Sequence, residues 1–276
     1  MYESTINMLA DKVKATANIT AGDYVGEDNL YYCGKCNTRK QTVINIFGGV
    51  RTVPCVCECQ AAKMKAEQEA QELFEQVMRL RNTGFPERSM LEWTFANDDG
   101  SNPKLSNAMK NFVENFSTFK ADGKGLLLFG NVGTGKTYLA ACVANALIDK
   151  GVPCLVTNFA RIANEVQERF DGRQQYYDNL NRFPLLVIDD LSAERKTEYM
   201  QEIVFNVIDA RYRAKLPLIV TTNLTREELL HPSDLTYKRI FSRLFEMCTP
   251  IEVDGKDRRQ QALRNDIGKY KGLLEL

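Results

Sequence analysis

The segment GLLLFGNVGTGKT, residues 125–137, decides the fold of this chain. An apolar stretch runs into a glycine-rich loop that fits G-x-x-x-x-G-K-[ST], and the residues after it have the composition of a helix. This order predicts a phosphate-binding loop, because glycines let backbone N–H groups surround phosphates and a helix N-terminus adds positive potential. Lys136 is expected to reach the outer phosphates, and Thr137 to offer its hydroxyl to Mg²⁺. The predicted nucleotide-binding residues are Gly130, Asn131, Val132, Gly133, Thr134, Gly135, Lys136 and Thr137.

Four more apolar segments have the length of strands, and helical periodicity lies between them. The five predicted strands are residues 125–129, 153–157, 185–188, 218–222 and 251–253. Strands that alternate with helices predict the α/β class, with a five-stranded parallel sheet flanked by helices on both faces.

Polar residues follow two of these strands. Asp189 and Asp190 end the strand LLVI, at the sheet edge where such folds bind ligands, so Asp189 is predicted to hold Mg²⁺ and Asp190 to orient or deprotonate a water. Asn223 follows LIVTT and is either a contact to that water or the γ-phosphate, or an ordinary turn residue. Arg239 and Arg243 share one helix face and either solvate a surface or act on the nucleotide of a neighbouring subunit.

Five of the eight cysteines lie between Cys33 and Cys59, in the spacing of a zinc ribbon. We expect structural Zn²⁺ on Cys33, Cys36, Cys55 and Cys57, with Cys59 as the substitute. Four thiolates leave no open coordination position, so this zinc would fold the module and not catalyse. Disulfide or redox use is the weaker alternative in a reducing compartment.

Composition bounds the class of protein. The chain has 276 residues, 44% of them hydrophobic, with 36 basic and 36 acidic residues, which excludes disorder and binding of nucleic acid by bulk charge. Neither a membrane-length apolar run nor a signal peptide is visible, so we expect a cytoplasmic protein. One mixed group of bases and aromatics indicates either a groove for single-stranded DNA or an amphipathic helix: Arg161, Arg169, Phe170, Arg173, Tyr176 and Tyr177.

We predict three parts: a zinc-binding module over residues 1–60, a linker helix over 61–83, and a nucleotide-binding domain over 84–276. The linker, AAKMKAEQEAQELFEQVMRLRN, lacks glycine and proline, and TGFP breaks the chain after it.

With these motifs assembled, the chain resembles the AAA+ ATPases, and among them the DnaC/DnaI-type replicative helicase loaders; IstB-type transposition ATPases share the core. Over residues 84–260 the segments GFPERSMLEWTF, GNVGTGKT, LLVIDDL, LIVTTNL, RIFSRL and GKDRR follow in the order of that family. The resemblance implies that Asn223 is sensor 1, Arg259 is sensor 2, and Arg243 is an arginine finger acting in trans, with Arg239 as the alternative. Asp190 stands where AAA+ proteins usually carry Glu, which fits a slow switch better than a fast motor.

The resemblance implies a Mg²⁺-dependent ATPase that loads a hexameric replicative helicase onto single-stranded DNA in a bacterial or phage-infected cell. It implies slow hydrolysis stimulated by assembly or single-stranded DNA, ATP at the subunit interfaces of a homo-oligomer, and a zinc module that grips the helicase. The alternatives are a transposition helper, a group that usually lacks such a module, and an adaptor that binds ATP without hydrolysing it. DNA contact by the locally basic zinc module also stays open.

Overall fold

The computed structural model forms two compact units, Met1–Glu75 and Gln76–Leu276. It describes residues 19–46, 48–168, 172–191, 197–255, 257–259 and 267. Within these ranges, no helix combines the length and the apolar character needed to cross a bilayer.

The first unit contains two small hairpins and the start of a long helix. Its elements are β1 (Tyr24–Val25), β2 (Tyr31–Tyr32), β3 (Gln41–Ile46), β4 (Gly49–Pro54) and the beginning of α1 (Glu58–Gly84). Strand β1 pairs with β2 and β3 with β4, both antiparallel. Among the described residues of this unit, the buried apolar side chains are only Leu30, Cys33 and Cys57. Since two-stranded sheets are marginal in water, apolar packing among these described residues is not enough to hold the two hairpins together.

Helix α1 is one continuous element of 27 residues. The predicted linker helix, residues 61–83, lies inside it, and the division between the two units falls within α1 after Glu75. The helix ends at Gly84, where an added Cβ would lie 2.7 Å from the carbonyl oxygen of Cys154. The three-part division of the chain stays a prediction.

The second unit is built on a parallel sheet. Its elements are a 3₁₀ turn (Arg88–Glu92), α2 (Pro103–Glu114), α3 (Phe116–Ala121), β5 (Gly125–Phe129), α4 (Lys136–Asp149), β6 (Cys154–Asn158), α5 (Phe159–Gln167), α6 (Arg173–Leu180), β7 (Leu185–Leu191), α7 (Glu198–Ala214), β8 (Leu218–Thr222), α8 (Arg226–Leu230), α9 (Leu235–Met247) and β9 (Cys248–Glu252). The strand order is β6–β7–β8–β5–β9, and every neighbouring pair is parallel. The predicted α/β class and five-stranded parallel sheet are therefore confirmed.

Both faces of this sheet are buried, as the apolar strands predict. Along β5, Leu127 and Phe129 belong to one core cluster, whereas Leu126 and Leu128 belong to the other. Because successive side chains of a strand point to opposite faces, each cluster fills the space between the sheet and one layer of helices.

Strand β7 is longer than the predicted strand, because it contains a bulge. Ile188 pairs with Val220 and Leu191 with Thr222, so β7 carries one more residue than β8 over this interval. Asp190 sits in the bulge with φ of 58°, in the left-handed region. A bulge re-aims side chains at the end of a strand, and here it places two consecutive acids at the carboxyl edge of the sheet.

Arg211 ties together the segments that enter β7 and β8. Its side chain is fully buried, and its guanidinium donates to the carbonyl oxygens of Phe183, at 2.8 Å, and of Pro217. Longer bonds reach the carbonyls of Leu180 and Pro184. A cation enclosed by backbone oxygens fixes the point from which both strands start.

Candidate nucleotide-binding site and cysteine cluster

The loop between β5 and α4 has the backbone that its glycines permit. Gly130, Gly133 and Gly135 have φ of 125°, 74° and 93°. A side chain at Gly133 would also overlap the carboxylate of Asp257. The loop can therefore turn its backbone N–H groups inward at the start of α4, as phosphate binding requires.

Lys136 is held inside this loop. Its ammonium donates to the carbonyl oxygens of Gly130, at 2.9 Å, and Asn131, at 2.6 Å. Burial lowers the pKa of Lys136, against the opposing effect of Asp190 and Asp189. The hydroxyl of Thr134 closes the loop by donating to the carbonyl of Asn131 at 2.9 Å.

Thr137, Asp189 and Thr221 converge at the edge of the sheet. The hydroxyls of Thr137 and Thr221 both donate to Oδ1 of Asp189, at 2.7 and 2.6 Å. A hydroxyl and a carboxylate side by side next to a phosphate loop are the oxygen ligands that Mg²⁺ takes in such sites. The residues present thus fit a magnesium ion held by Thr137 and Asp189.

Asp190 and Asn223 form the second polar pair of the site. Nδ2 of Asn223 donates to Oδ1 of Asp190 at 2.8 Å, and the backbone N–H of Asp190 donates to the hydroxyl of Thr221 at 2.9 Å. Burial, followed by the negative charge of Asp189, raises the pKa of Asp190. The raised pKa and the left-handed backbone are features of a carboxylate set up for chemistry.

A cleft of about 400 Å³ joins these groups to the C-terminal segment. Arg259 lines it, together with the loop residues from Val132 to Thr137 and the strand-end residues Asp189, Asp190 and Asn223. Next to it, the backbone N–H of Arg258 donates to the carbonyl of Gly133 at 3.0 Å, and its guanidinium lies 3.2 Å from Asp99. The segment carrying the predicted sensor 2 therefore contacts the phosphate loop directly.

Sequence reasoning missed several residues of this cleft. They are Trp93, Asn97, Asp99, Tyr138, Thr221 and Arg258. Thr221 lies two residues before Asn223 and so was detectable from strand alternation, and Tyr138 directly follows the motif. Asn97 and Asp99 belong to a polar loop without a motif, so no signal marks them.

Arg243 and Arg239 differ in their surroundings on α9. Nη2 of Arg243 lies 2.6 Å from Oδ1 of Asp209 on α7, within its own chain. Its guanidinium also lies over the rings of Phe205 and Tyr212, 4.5 and 5.8 Å from their centroids. Arg239, one turn earlier, is exposed.

The predicted group of bases and aromatics on α5 and α6 is only partly available for stacking. Tyr177 is buried, and Tyr176 packs against the same core cluster. Arg161 and Arg173 are exposed. Two further members of this group, Arg169 and Phe170, lie outside the described residues. A single-stranded DNA groove here stays a prediction.

The cysteine cluster of the first unit contains Cys33, Cys36, Cys57 and Cys59, whose sulfur atoms all lie within 4.8 Å of one another. Sγ of Cys59 lies 3.6 Å from that of Cys33 and 3.5 Å from that of Cys57. A tetrahedral zinc with Zn–S bonds of about 2.3 Å separates its sulfurs by about 3.8 Å. The four thiols therefore fit Zn²⁺.

The expected ligand Cys55 lies outside this cluster, and the named substitute Cys59 lies within it. Cys55 continues the pairing of the β3–β4 hairpin, since its N–H donates to the carbonyl of Lys40 at 2.7 Å. Its thiol donates to the carbonyl of Arg39 and is not part of the cluster. Helix α1 begins at Glu58, three residues before the predicted helix, and this first turn brings Cys59 beside Cys57.

Three of the clustered thiols have shifted pKa values. Backbone N–H groups of Lys35 and Cys36 lower the pKa of Cys33, and the hydroxyl of Thr38 lowers that of Cys36 to about 6. The neighbouring sulfurs raise the pKa of Cys59 to about 12. Four thiolates repel one another, and a cation at their centre would offset this charge.

Comparison with known proteins gives similarity over most of the chain. A family model described as "IstB-like ATP binding protein" matches residues 61–265. The replicative helicase loader DnaI of Bacillus subtilis (strain 168) is 24% identical over 279 residues, covering 94% of this chain and 84% of that protein. The replicative helicase loader DnaC of Escherichia coli (strain K12) is 29% identical over 152 residues, covering 53% of this chain and 58% of DnaC.

A solved structure is similar to the nucleotide-binding part. The crystal structure of DnaI aligns with a TM-score of 0.52 and 26% identity, covering 65% of this chain and 99% of that one. The parallel sheet and the phosphate loop described above thus have the AAA+ architecture.

Proposed function

The chain belongs to the IstB-like ATP-binding protein family, and from that premise we propose that it is an ATP-hydrolysing loader of a hexameric replicative helicase. It places the helicase on single-stranded DNA in the bacterial cytoplasm. One observation carries the choice of loader: the similarity to DnaI extends over 94% of this chain, which includes the four-cysteine cluster that lies before the family match.

The arrangement of side chains in the cleft supports the proposal of ATP hydrolysis. The loop N–H groups and Lys136 bind the phosphates, and Thr137 and Asp189 hold Mg²⁺, which offsets the charge of the β- and γ-phosphates when bound. Asp190 accepts a proton from the attacking water, and Asn223 holds the Asp190 carboxylate in place at 2.8 Å. An aspartate base is shorter than glutamate, which favours slow turnover.

In an assembly, a cation from a second subunit can stabilise the charge that develops during hydrolysis. We assign this role to Arg243 of a neighbouring copy, with Arg239 as the second choice, and we assign Arg259 to the γ-phosphate within the same chain. A cation that arrives in trans couples turnover to assembly, so nucleotide state can shift the affinity for helicase and DNA. The homo-oligomer follows from this arrangement.

The zinc module is proposed as the part that grips the helicase. The part of it that the structure describes has almost no apolar core, so Zn²⁺ on Cys33, Cys36, Cys57 and Cys59 would hold its hairpins in shape. DNA contact then falls to the second unit, where Arg161 and Arg173 are two of the exposed cations.

The test is a loading assay with purified components. The protein is mixed with the purified replicative helicase of Bacillus subtilis and circular single-stranded DNA carrying an annealed fork, and strand displacement is followed with ATP. We expect displacement to rise with the protein and to stay at the background level with Lys136→Ala. An equal rise with Lys136→Ala, or no rise together with no binding to the helicase, would contradict the loader proposal.

A transposition helper is the second candidate, since the matched family is named for IstB. The discriminating measurement is capture of partners from a bacterial lysate in the presence of ATP, followed by mass spectrometry. Recovery of a helicase by the unaltered protein, lost when Cys59 is replaced, favours the loader. Recovery of a transposase favours the helper. Phosphate release by the isolated protein separates both from an adaptor that does not hydrolyse ATP.

A further inference from the structure

Arg243 occupies a seat made by one face of α7. Phe205, Asp209 and Tyr212 are spaced by four and three residues, so they lie along the same side of that helix. The guanidinium of Arg243 packs on both rings and pairs with Asp209 at 2.6 Å. Only 26% of the Arg243 side chain is exposed.

The seat holds the guanidinium of Arg243 but leaves part of it without a hydrogen-bond acceptor. Nη1 is buried and has no hydrogen-bond partner among the described residues. Asp209 is shared, because its Oδ2 lies 2.7 Å from Nε of Arg213. Glu246, a nearby acid, accepts instead from the hydroxyl of Tyr212 at 2.8 Å.

The position of Arg243 conflicts with action on a second copy. Nη1 is enclosed and Nη2 faces Asp209, so the guanidinium cannot use both groups on another chain's phosphates while it stays in the seat. We propose that Asp209 and the ring of Phe205 hold Arg243 against α7 in the free subunit, where it cannot act on another copy. On assembly, a second copy of this chain releases Arg243 from this position.

This inference rests on the proposed function, in which Arg243 acts in trans. Asp209 is then a positioning residue, because it sets the fraction of subunits in which Arg243 is free to act on another copy. Apparent affinity between copies falls in proportion to that fraction, so weakening the seat strengthens assembly. Hydrolysis within the completed assembly is unchanged, because Asp209 no longer contacts Arg243 there.

The experiment measures phosphate release against protein concentration at saturating ATP and Mg²⁺. Asp209→Asn keeps the shape of the side chain and removes its charge. We expect its half-maximal concentration to fall by about three- to fivefold, the worth of a partly exposed ion pair, with the same plateau turnover. Arg213→Ala, which removes the other partner of Asp209, is the matched control and is expected to leave the curve in place.

A second variant keeps the inference testable if Asp209→Asn misfolds. Phe205→Leu removes the stacking ring and is expected to shift the curve in the same direction, and binding of a fluorescent ATP analogue reports an intact site in every variant. Asp209→Asn combined with Arg243→Ala is expected to match Arg243→Ala alone.

Two results would overturn the inference: an unchanged curve for both seat variants, or a lower plateau at the same half-maximal concentration. The second result would mean that the seat holds Arg243 in its working position. If Arg243→Ala itself hydrolyses ATP like the unaltered protein, the trans role in the proposed function fails instead.

Discussion

Replacing Cys59 and Cys55 separately by serine tests the corrected zinc site. Structural zinc binds with about 10–16 kcal/mol at pH 7, so each of four thiolates accounts for about 2.5–4 kcal/mol of it. Cys59→Ser removes a sulfur that lies 3.5 Å from Cys57 and is expected to weaken zinc binding by about 10²- to 10³-fold. Cys55→Ser keeps a hydroxyl that can donate to the carbonyl of Arg39, and zinc affinity is expected to stay unchanged.

Zinc affinity is measured by competition with a chromophoric chelator, and zinc content by mass spectrometry of the purified protein. Because binding free energy is folding free energy in such modules, Cys59→Ser should also expose the first unit to limited proteolysis while α4 and the sheet stay protected. Loss of zinc from Cys55→Ser, or full retention by Cys59→Ser, would refute the assignment of the four ligands.

Three further substitutions test the second unit. Asp190→Asn is expected to slow ATP turnover by about 10²-fold or more while binding of a fluorescent ATP analogue is retained. Phosphate release by the two proteins at saturating ATP and Mg²⁺ checks this, and equal turnover of Asp190→Asn and the unaltered protein would contradict it. Asn223→Ala removes a hydrogen bond to that carboxylate and is expected to cost about tenfold in turnover, with binding unchanged as the control. Arg211→Met leaves buried carbonyls without a donor and is expected to lower the free energy of unfolding in urea by about 3 kcal/mol, whereas Arg213→Met on the same helix changes it by less than about 1 kcal/mol.

Local patterns in the sequence were enough for the sheet and for the loop. The glycines of the loop are required by its own backbone, and apolar runs such as residues 185–188 are required by burial on both faces, so neither depends on distant residues. The ends of elements were less predictable. Strand β7 continues through two acids only because a bulge accommodates them, and the pattern of apolar residues contains no sign of it.

Contacts between distant segments account for what sequence reasoning missed. The choice between Cys55 and Cys59 depends on where the hairpin pairing stops and α1 starts, which spacing between cysteines does not reveal. The surroundings of Arg243 depend on the packing of α9 against α7. Spacing of four residues placed Arg239 and Arg243 on one face of α9, but it could not show that Arg243 meets an acid on α7.

The bulge in β7 changes which face of the sheet the side chains after it point to. Leu186 and Ile188 face one core cluster, and Leu191 joins the same cluster although it lies an odd number of residues further along. Without the extra residue, a strand ending in a single aspartate would place this leucine on the same face. Asp190 is therefore an extra residue that the packing of the core does not need. Its left-handed backbone costs the fold about 1–3 kcal/mol. The core thus gives no reason for a second carboxylate at this edge, which agrees with the role in the cleft proposed for Asp190.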